Sequence, residues 1–295
     1  MADLSFGIVG GAIVTTVDKQ VIILQTESSH VVASDGTWES AAAAPISIDE
    51  FCCGGAHALP AGDPLVFGAE GSPETWIFEP AIGIWTQADA RPSAGYVLGA
   101  SVIDRELYVV DAAARTGVAT SSVAALNLDG KWRELEPVPA PISVGGVTTD
   151  GVRLIVAGTQ QDENNNVIGE RSPLVFALTP DRGWETLPKI PIDGQASTVV
   201  WTPQGDLLAW NYDLESARLS IAEGWTHLEP VPMDEGNCYP RSVAASFGVV
   251  GFCFGIAWFD GSTWQPIPSP PPKSHLAITA DGLLAVFPLA RDESP

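Results

Sequence analysis

Arginine is conspicuous in a chain this acidic. Lys and Arg total 14 against 36 Asp and Glu, a formal net charge of −22. Arg91 (in ARPSAGY) and Arg241 (in NCYPR) occupy matching connections between apolar runs, each with a tyrosine nearby, Tyr96 and Tyr239. A guanidinium can grip a carboxylate through parallel hydrogen bonds or polarise a carbonyl. Trp210, Tyr212 and Phe254 fall in other connections and would supply apolar walls. Proton transfer needs an acid or base within reach, and Asp49, Glu50, Asp193 and His275 occupy connections of the same kind. A carboxylate facing an arginine across an apolar cavity can run an isomerisation, elimination or cyclisation without a cofactor. The ordinary alternative for each arginine is a surface cation paired to a local acid. Loop acids are more often simply solvated.

Other chemistries find little footing. The four histidines, His30, His57, His227 and His275, show no two-histidine spacing, so no metal site is expected and copper least of all. The run from Asp162 to Glu170 has the polar character of a calcium loop but lacks the glycine and glutamate it needs at the sixth and twelfth positions. No glycine-rich phosphate loop is present, so neither a nicotinamide nor a flavin is expected, and the cofactor expectation is none. G-x-S-x-G is absent. Cys52 and Cys53 open an apolar run and read as small buried residues rather than a reactive thiol. The acidity, with a pI near 4.2, argues against nucleic acid and anionic membrane surfaces. No apolar run approaches 18 residues, and the N-terminal segment lacks the basic start of a secretory signal. Together with cysteines read as free thiols, this gives a cytoplasmic expectation.

The elements that must position these residues recur. A turn, a tryptophan and a proline-rich exit appear as SDGTWESAAAAP at 34–45, AIGIWTQADARP at 81–92 and LDGKWRELEPVP at 128–139. They appear again as PDRGWETLPKIP at 180–191, AEGWTHLEPVP at 222–232 and DGSTWQPIPSP at 260–270. Trp38, Trp85, Trp132, Trp184, Trp225 and Trp264 are thus 47, 47, 52, 41 and 39 residues apart. A period of that size marks an array of one supersecondary unit. Within 96–137 the unit resolves into four strands: YVLGASVI, LYVV, VAALNL and KWRELEP, with turn residues between them. Four antiparallel strands per unit make a propeller blade. The first strand of each unit is rich in small residues, as expected where blades converge on an axis. The tryptophan of the fourth strand is expected to pack between neighbouring blades.

The fold class is therefore all-β, a single propeller domain over 1–295. Six complete units are followed by HLAITA and LLAVFP, which match the first two strands of another. Seven blades, the last incomplete and closed by both termini, is the favoured count; six with a separate C-terminal hairpin is the alternative. The pattern W-x-x-L-x-x-x-P in WRELEPVP, WETLPKIP and WTHLEPVP, with a small residue after the second strand in LYVVDA and LIVAGT, resembles the kelch family of propellers. It departs from that family in lacking the Gly-Gly doublet after the second strand.

Alternating strand direction puts the connections between second and third strands on one face with those between blades, around the mouth of the channel. All the candidate residues named above are expected there. The resemblance implies either a stand-alone propeller acting on a small organic molecule, as an isomerase, lyase or cyclase, or a protein-interaction scaffold. A carbohydrate-binding lectin is the third reading. The first is preferred, because aromatics crowd the expected mouth and no attached adaptor domain is expected.

Overall fold

The computed structural model describes residues 7–8, 12–17, 20–25, 29–32, 37–43, 45, 56–58, 65–68, 72–79, 81–95, 97–112, 121–162, 166–168, 172–193, 196–220, 222–233, 241–245, 248–252, 255–268, 274–278 and 284–288. They form strands and turns, with no helix among them. The first sheet holds β1 (Gly7–Ile8), β2 (Ala12–Val17), β3 (Gln20–Gln25), β4 (Ser29–Val32) and β5 (Trp38–Ala41). The second holds β6 (Ala56–Ala58), β7 (Leu65–Gly68), β8 (Thr75–Glu79) and β9 (Ile84–Gln87). The third is β10 (Val97–Ile103), β11 (Glu106–Asp111), β12 (Ser122–Leu126) and β13 (Trp132–Leu135). The fourth is β14 (Ile142–Thr149), β15 (Leu154–Gln160), β16 (Leu174–Thr179) and β17 (Gly183–Leu187). The fifth is β18 (Ala196–Trp201), β19 (Leu207–Asn211), β20 (Ser216–Ser220) and β21 (Gly224–Leu228). The sixth is β22 (Arg241–Ala245), β23 (Gly248–Phe252), β24 (Ile256–Phe259) and β25 (Trp264–Ile267). A last pair, β26 (Ser274–Ile278) and β27 (Leu284–Pro288), forms a two-stranded sheet.

Every sheet is an antiparallel meander in chain order, as short turns between successive strands require. Asp104 and Arg105 both adopt left-handed φ, 47° and 72°, which gives the β10–β11 hairpin a turn twisted to match its strands. The second strand of each central blade is apolar on both sides because blades pack on both sides of it. In β11, Leu107 and Val109 join a core layer with Ile77 of the second blade. Tyr108 and Val110 join the next layer, with Leu154, Val156 and Phe176 of the fourth. The core is thus a series of flat layers, one between each adjacent pair of described blades from the second to the sixth.

Small residues on the inner strands have the expected cause. A Cβ on Gly99 would stand 2.7 Å from Val147 of the next blade, and one on Gly146 would stand 2.6 Å from the Val199 amide. The tryptophans are at equivalent places. Each pairs with the residue near the end of the third strand: Val32 with Trp38, Phe78 with Trp85, Leu126 with Trp132, Leu178 with Trp184, Leu219 with Trp225 and Phe259 with Trp264. Their indoles reach back to the preceding blade. Trp85 Nε1 donates to Ala42 O at 3.1 Å, Trp132 to Asp89 O, Trp184 to Glu136 O and Trp225 to Pro188 O, the last three at 3.0 Å. Each acceptor lies four residues after the preceding tryptophan. The sixth blade inserts a hydroxyl: Trp264 donates to Ser216 Oγ at 3.2 Å, and Ser216 donates to Glu229 O at 2.9 Å. Glu229 again lies four residues after Trp225.

The two-stranded sheet sits beside the first blade, β26 against β2 and β1. The N-terminal strand behaves differently from the expected closure of the last blade. β1 pairs with β2, Gly7 opposite Val14, and so extends the first sheet.

Candidate ligand-binding face

The face in question is the end where second strands finish and first strands begin. Val97 pairs with Asp111 there, Ile142 with Gln160, and Ala196 with Asn211. Near this end the inner strand of three successive blades carries a bulge. The register slips between Val97 and Gly99, between Val144 and Gly146, and between Ala196 and Thr198. Leu98, Gly145 and Ser197 are the extra residues. A bulge bends its strand and re-aims side chains, and such bulges gather beside functional sites. Nearby, Thr198 Oγ1 and Ser242 Oγ share a hydrogen bond of 2.8 Å between the inner strands of the fifth and sixth blades.

Two polar networks occupy the same end. The first is built on Arg91, buried with 3% of its surface exposed. Its Nε donates to Ser93 O at 2.9 Å, and its Nη2 to Gly95 O at 3.0 Å and Ser72 O at 3.2 Å. Asp111 Oδ2 lies 3.4 Å from Nε, too far for a paired fork. Burial pushes the Asp111 carboxyl up to about 7, with Arg91 opposing by attraction. Burial likewise pushes Arg91 down against the attraction of Asp111. Desolvation outweighs the pairing on both partners, the usual outcome for an ion pair in a dry interior.

The second network holds the short β19–β20 connection. Asn211 Nδ2 donates to Asp193 O at 2.8 Å and to Glu215 Oε2 at 3.1 Å, while the Glu215 amide donates to Asn211 Oδ1 at 2.9 Å. The Asp193 amide donates to Glu215 Oε2 at 3.3 Å. Asp111 and Asn211 hold the same position at the end of the second strand. Each fastens the connection arriving from the preceding blade.

Of the sequence candidates, Asp193 and Tyr212 are on this face, Asp193 exposed and Tyr212 half-buried. Arg91 is here too, but its hydrogen bonds go to main-chain carbonyls of its own connection and of Ser72, which is the ordinary structural role in a buried form. Trp210 departs from expectation. It is fully buried in the layer between the fifth and sixth blades, edge-on to Trp264 with ring centres 6.1 Å apart, and walls no mouth. The cause is register: Trp210 aligns with Val110 and Ala157, interior positions of second strands. Asp49, Glu50, Tyr96, Tyr239 and Phe254 lie outside the described residues, as do the side chains of Arg241 and His275. The main chain of Arg241 opens β22 and that of His275 lies in β26, both inner strands.

Sequence reasoning did not single out Asp111 or Asn211. A signal existed, since both are polar residues closing an otherwise apolar second strand. Among the described residues no cluster of His, Cys, Asp and Glu could hold a metal ion.

Successive four-stranded antiparallel sheets, meandering outward and packed face to face, make the protein a β-propeller. No family model matches the chain, and no curated protein matches it in sequence. Solved structures do match in fold. The chain is similar to virginiamycin B lyase from Staphylococcus aureus, with a TM-score of 0.57 and 14% identity over 97% of this chain and 88% of that one. A catalytically inactive histidine-to-alanine variant of that lyase with quinupristin matches at TM-score 0.58 and 13% identity, over 98% of this chain and 88% of that one. YCF48 bound to D1 peptide matches at 0.53 and 13%, over 100% and 98% of the two chains.

Proposed function

We propose that the protein binds a small organic molecule at the face described above and is a cofactor-independent enzyme of the lyase type, on a kelch-like propeller. The observation that carries the reading is the set of three bulges at one position of successive inner strands. A propeller gains nothing in stability from interrupting the same ladder three times, and the interruption lies on the innermost strand of each of those blades. The likeness in fold to a lyase, one of whose structures carries quinupristin, supports the choice of reaction class. His275 is the proton-transfer group first in line, being on an inner strand and one of only four histidines. Asp49, Glu50 and Asp193 are the alternatives, and Arg241 with Tyr212 and Tyr239 would hold the substrate.

The test is a thermal-shift screen of small organic molecules that includes quinupristin, followed by chromatography of each stabilising compound after incubation. Loss of the parent compound with the wild-type protein, and its persistence with His275→Ala, is the expected result. Arg241→Ala should weaken binding of any hit by about 1.5–3 kcal/mol in calorimetry, the scale of a charge-assisted hydrogen bond. A ligand located on the opposite face ends the assignment.

A specific observation favours a second reading, that of a protein-binding scaffold. Ile82 and Ile84 stand 59% and 47% exposed at the outer edge of the second blade. Retention of a partner by wild-type protein, lost on replacing both isoleucines by serine, would favour that reading.

A further inference from the structure

We propose that Asp111 and Arg91 form a proton-operated latch that holds segment 91–95 against the third blade, on the face where a ligand would bind. The functional consequence rests on the reading of that face given above; the latch stands on its own geometry.

Segment 91–95 is fastened on two sides. The Arg91 amide donates to Pro73 O at 2.6 Å and its guanidinium to Ser72 O, both in the second blade. At its other end Gly95, buried, presses on the main chain after Asp111 so closely that a Cβ there would collide with Ala112 O. Among the described residues the cation at the centre of this fastening has one carboxylate beside it, Asp111, and the two side chains are 2% and 1% exposed. Only Oδ2 of that carboxylate faces Arg91; buried Oδ1 has no hydrogen-bond partner. Ser122 stands directly opposite Asp111 in the ladder, and its Oγ is also buried without a partner. Thr75 Oγ1 is a third such atom. Thr75 shares a strand face with Ile77, which packs into the same layer as Leu107 and Val109.

A bare carboxylate oxygen in such a layer is costly, and a neutral carboxyl is much less so. This agrees with the upward displacement of Asp111 to about 7. The surroundings supply little else. Strands β10 and β12 bring no charged residue. Glu106 is at the far end of β11; Glu74 and Asp89 are exposed, and Asp89 is engaged by Lys131 at 2.9 Å. Arg115, in the connection after Asp111, lies outside the described residues.

The sign follows. The closed form keeps its proton up to about pH 7. Once 91–95 swings away and water reaches Asp111, the carboxyl returns to roughly 4. Closing therefore takes up a proton, and the latch is tightest in acid. Its opening constant rises by about tenfold per pH unit between about 4 and about 7, then levels off.

Amide hydrogen exchange of Arg91 and Gly95, corrected for the pH dependence of intrinsic exchange, reads this between pH 5 and 8.5. The core strand β15 serves as the reference for global opening. The expected result is faster exchange in 91–95 than in β15, with an opening constant that climbs about fiftyfold from pH 5 to 7 and about twofold more before it flattens. In Asp111→Asn the climb disappears. A climb that survives in Asp111→Asn, or exchange of 91–95 only in step with β15, overturns the latch. Should that variant not fold, carbon-13 titration of the Asp111 carboxyl in wild-type protein decides: near 7 supports the proposal, near 4 sinks it. A ligand found elsewhere would leave these results unchanged and bear on the proposed function alone.

Discussion

Arg91 shows what a lone cation does in a chain with 36 acids. Its guanidinium closes a connection by donating to three main-chain carbonyls. Arg91→Ala is therefore expected to lower unfolding free energy by about 1–3 kcal/mol in chemical denaturation, since it leaves those buried carbonyls without a donor. Unchanged stability would show that the site is wet. Three other described arginines are similarly spent: Arg133 on Glu106, Arg153 on Asp150 and Glu185, Arg218 on Asp206. Asp150 titrates with the opposite sign to Asp111. Burial pushes its carboxyl up, but the amides of Arg153 and Val152 and the Arg153 guanidinium outweigh it, and the net displacement is downward from 3.8. Its stabilising share is full above the ordinary aspartate value and is lost as pH falls through its lowered value. Asp150→Asn should thus cost stability at pH 6 and much less at pH 2.5, read from melting curves. At this scale the sequence was only partly legible. Arg91 stood out as a rare cation, yet its partner is twenty residues away, and proximity across a blade interface leaves no local mark. Trp210 was legible in principle, by alignment with Val110 and Ala157, but its apolar size suited a binding wall equally well.

Among elements, the fourth strand was the most legible, because the frame of turn, tryptophan and proline repeats in the letters themselves. What the letters did not carry is the bond each indole makes. Trp132→Phe keeps an aromatic ring, though a smaller one, and deletes the N–H to Asp89 O; a loss of about 1–2 kcal/mol is expected, against about 3 kcal/mol or more for Trp132→Ala, which removes the ring from its layer altogether. Equal losses would assign the whole effect to packing. Ser216→Ala should cost about 1–3 kcal/mol, since it strands both the Trp264 N–H and the Glu229 carbonyl. The bulges were not legible: Leu98, Gly145 and Ser197 share no residue type, and a register slip depends on the partner strand as much as on its own.

For the molecule as a whole, the sequence conveyed the all-β propeller class and most of the strand order, while the placement of β1 inside the first sheet came only with the structure. Closure is the property that matters most here. Deleting residues 273–295 removes the sheet that lies against β1 and β2 and exposes strand edges. The expected outcome is aggregation or a broadened, non-cooperative melt in light scattering and calorimetry; a monomeric truncation with an unchanged transition would refute the closure. The tryptophan bonds bear on the history of such a ring as well as its stability. Each blade from the second to the fourth brings a donor and, four residues later, the acceptor for its successor, and the fifth does so through Ser216. A duplicated gene segment of that length arrives with a plug for the old neighbour and a socket for the new one. It needs no matching change elsewhere, so a lineage can lengthen or shorten its ring one whole unit at a time.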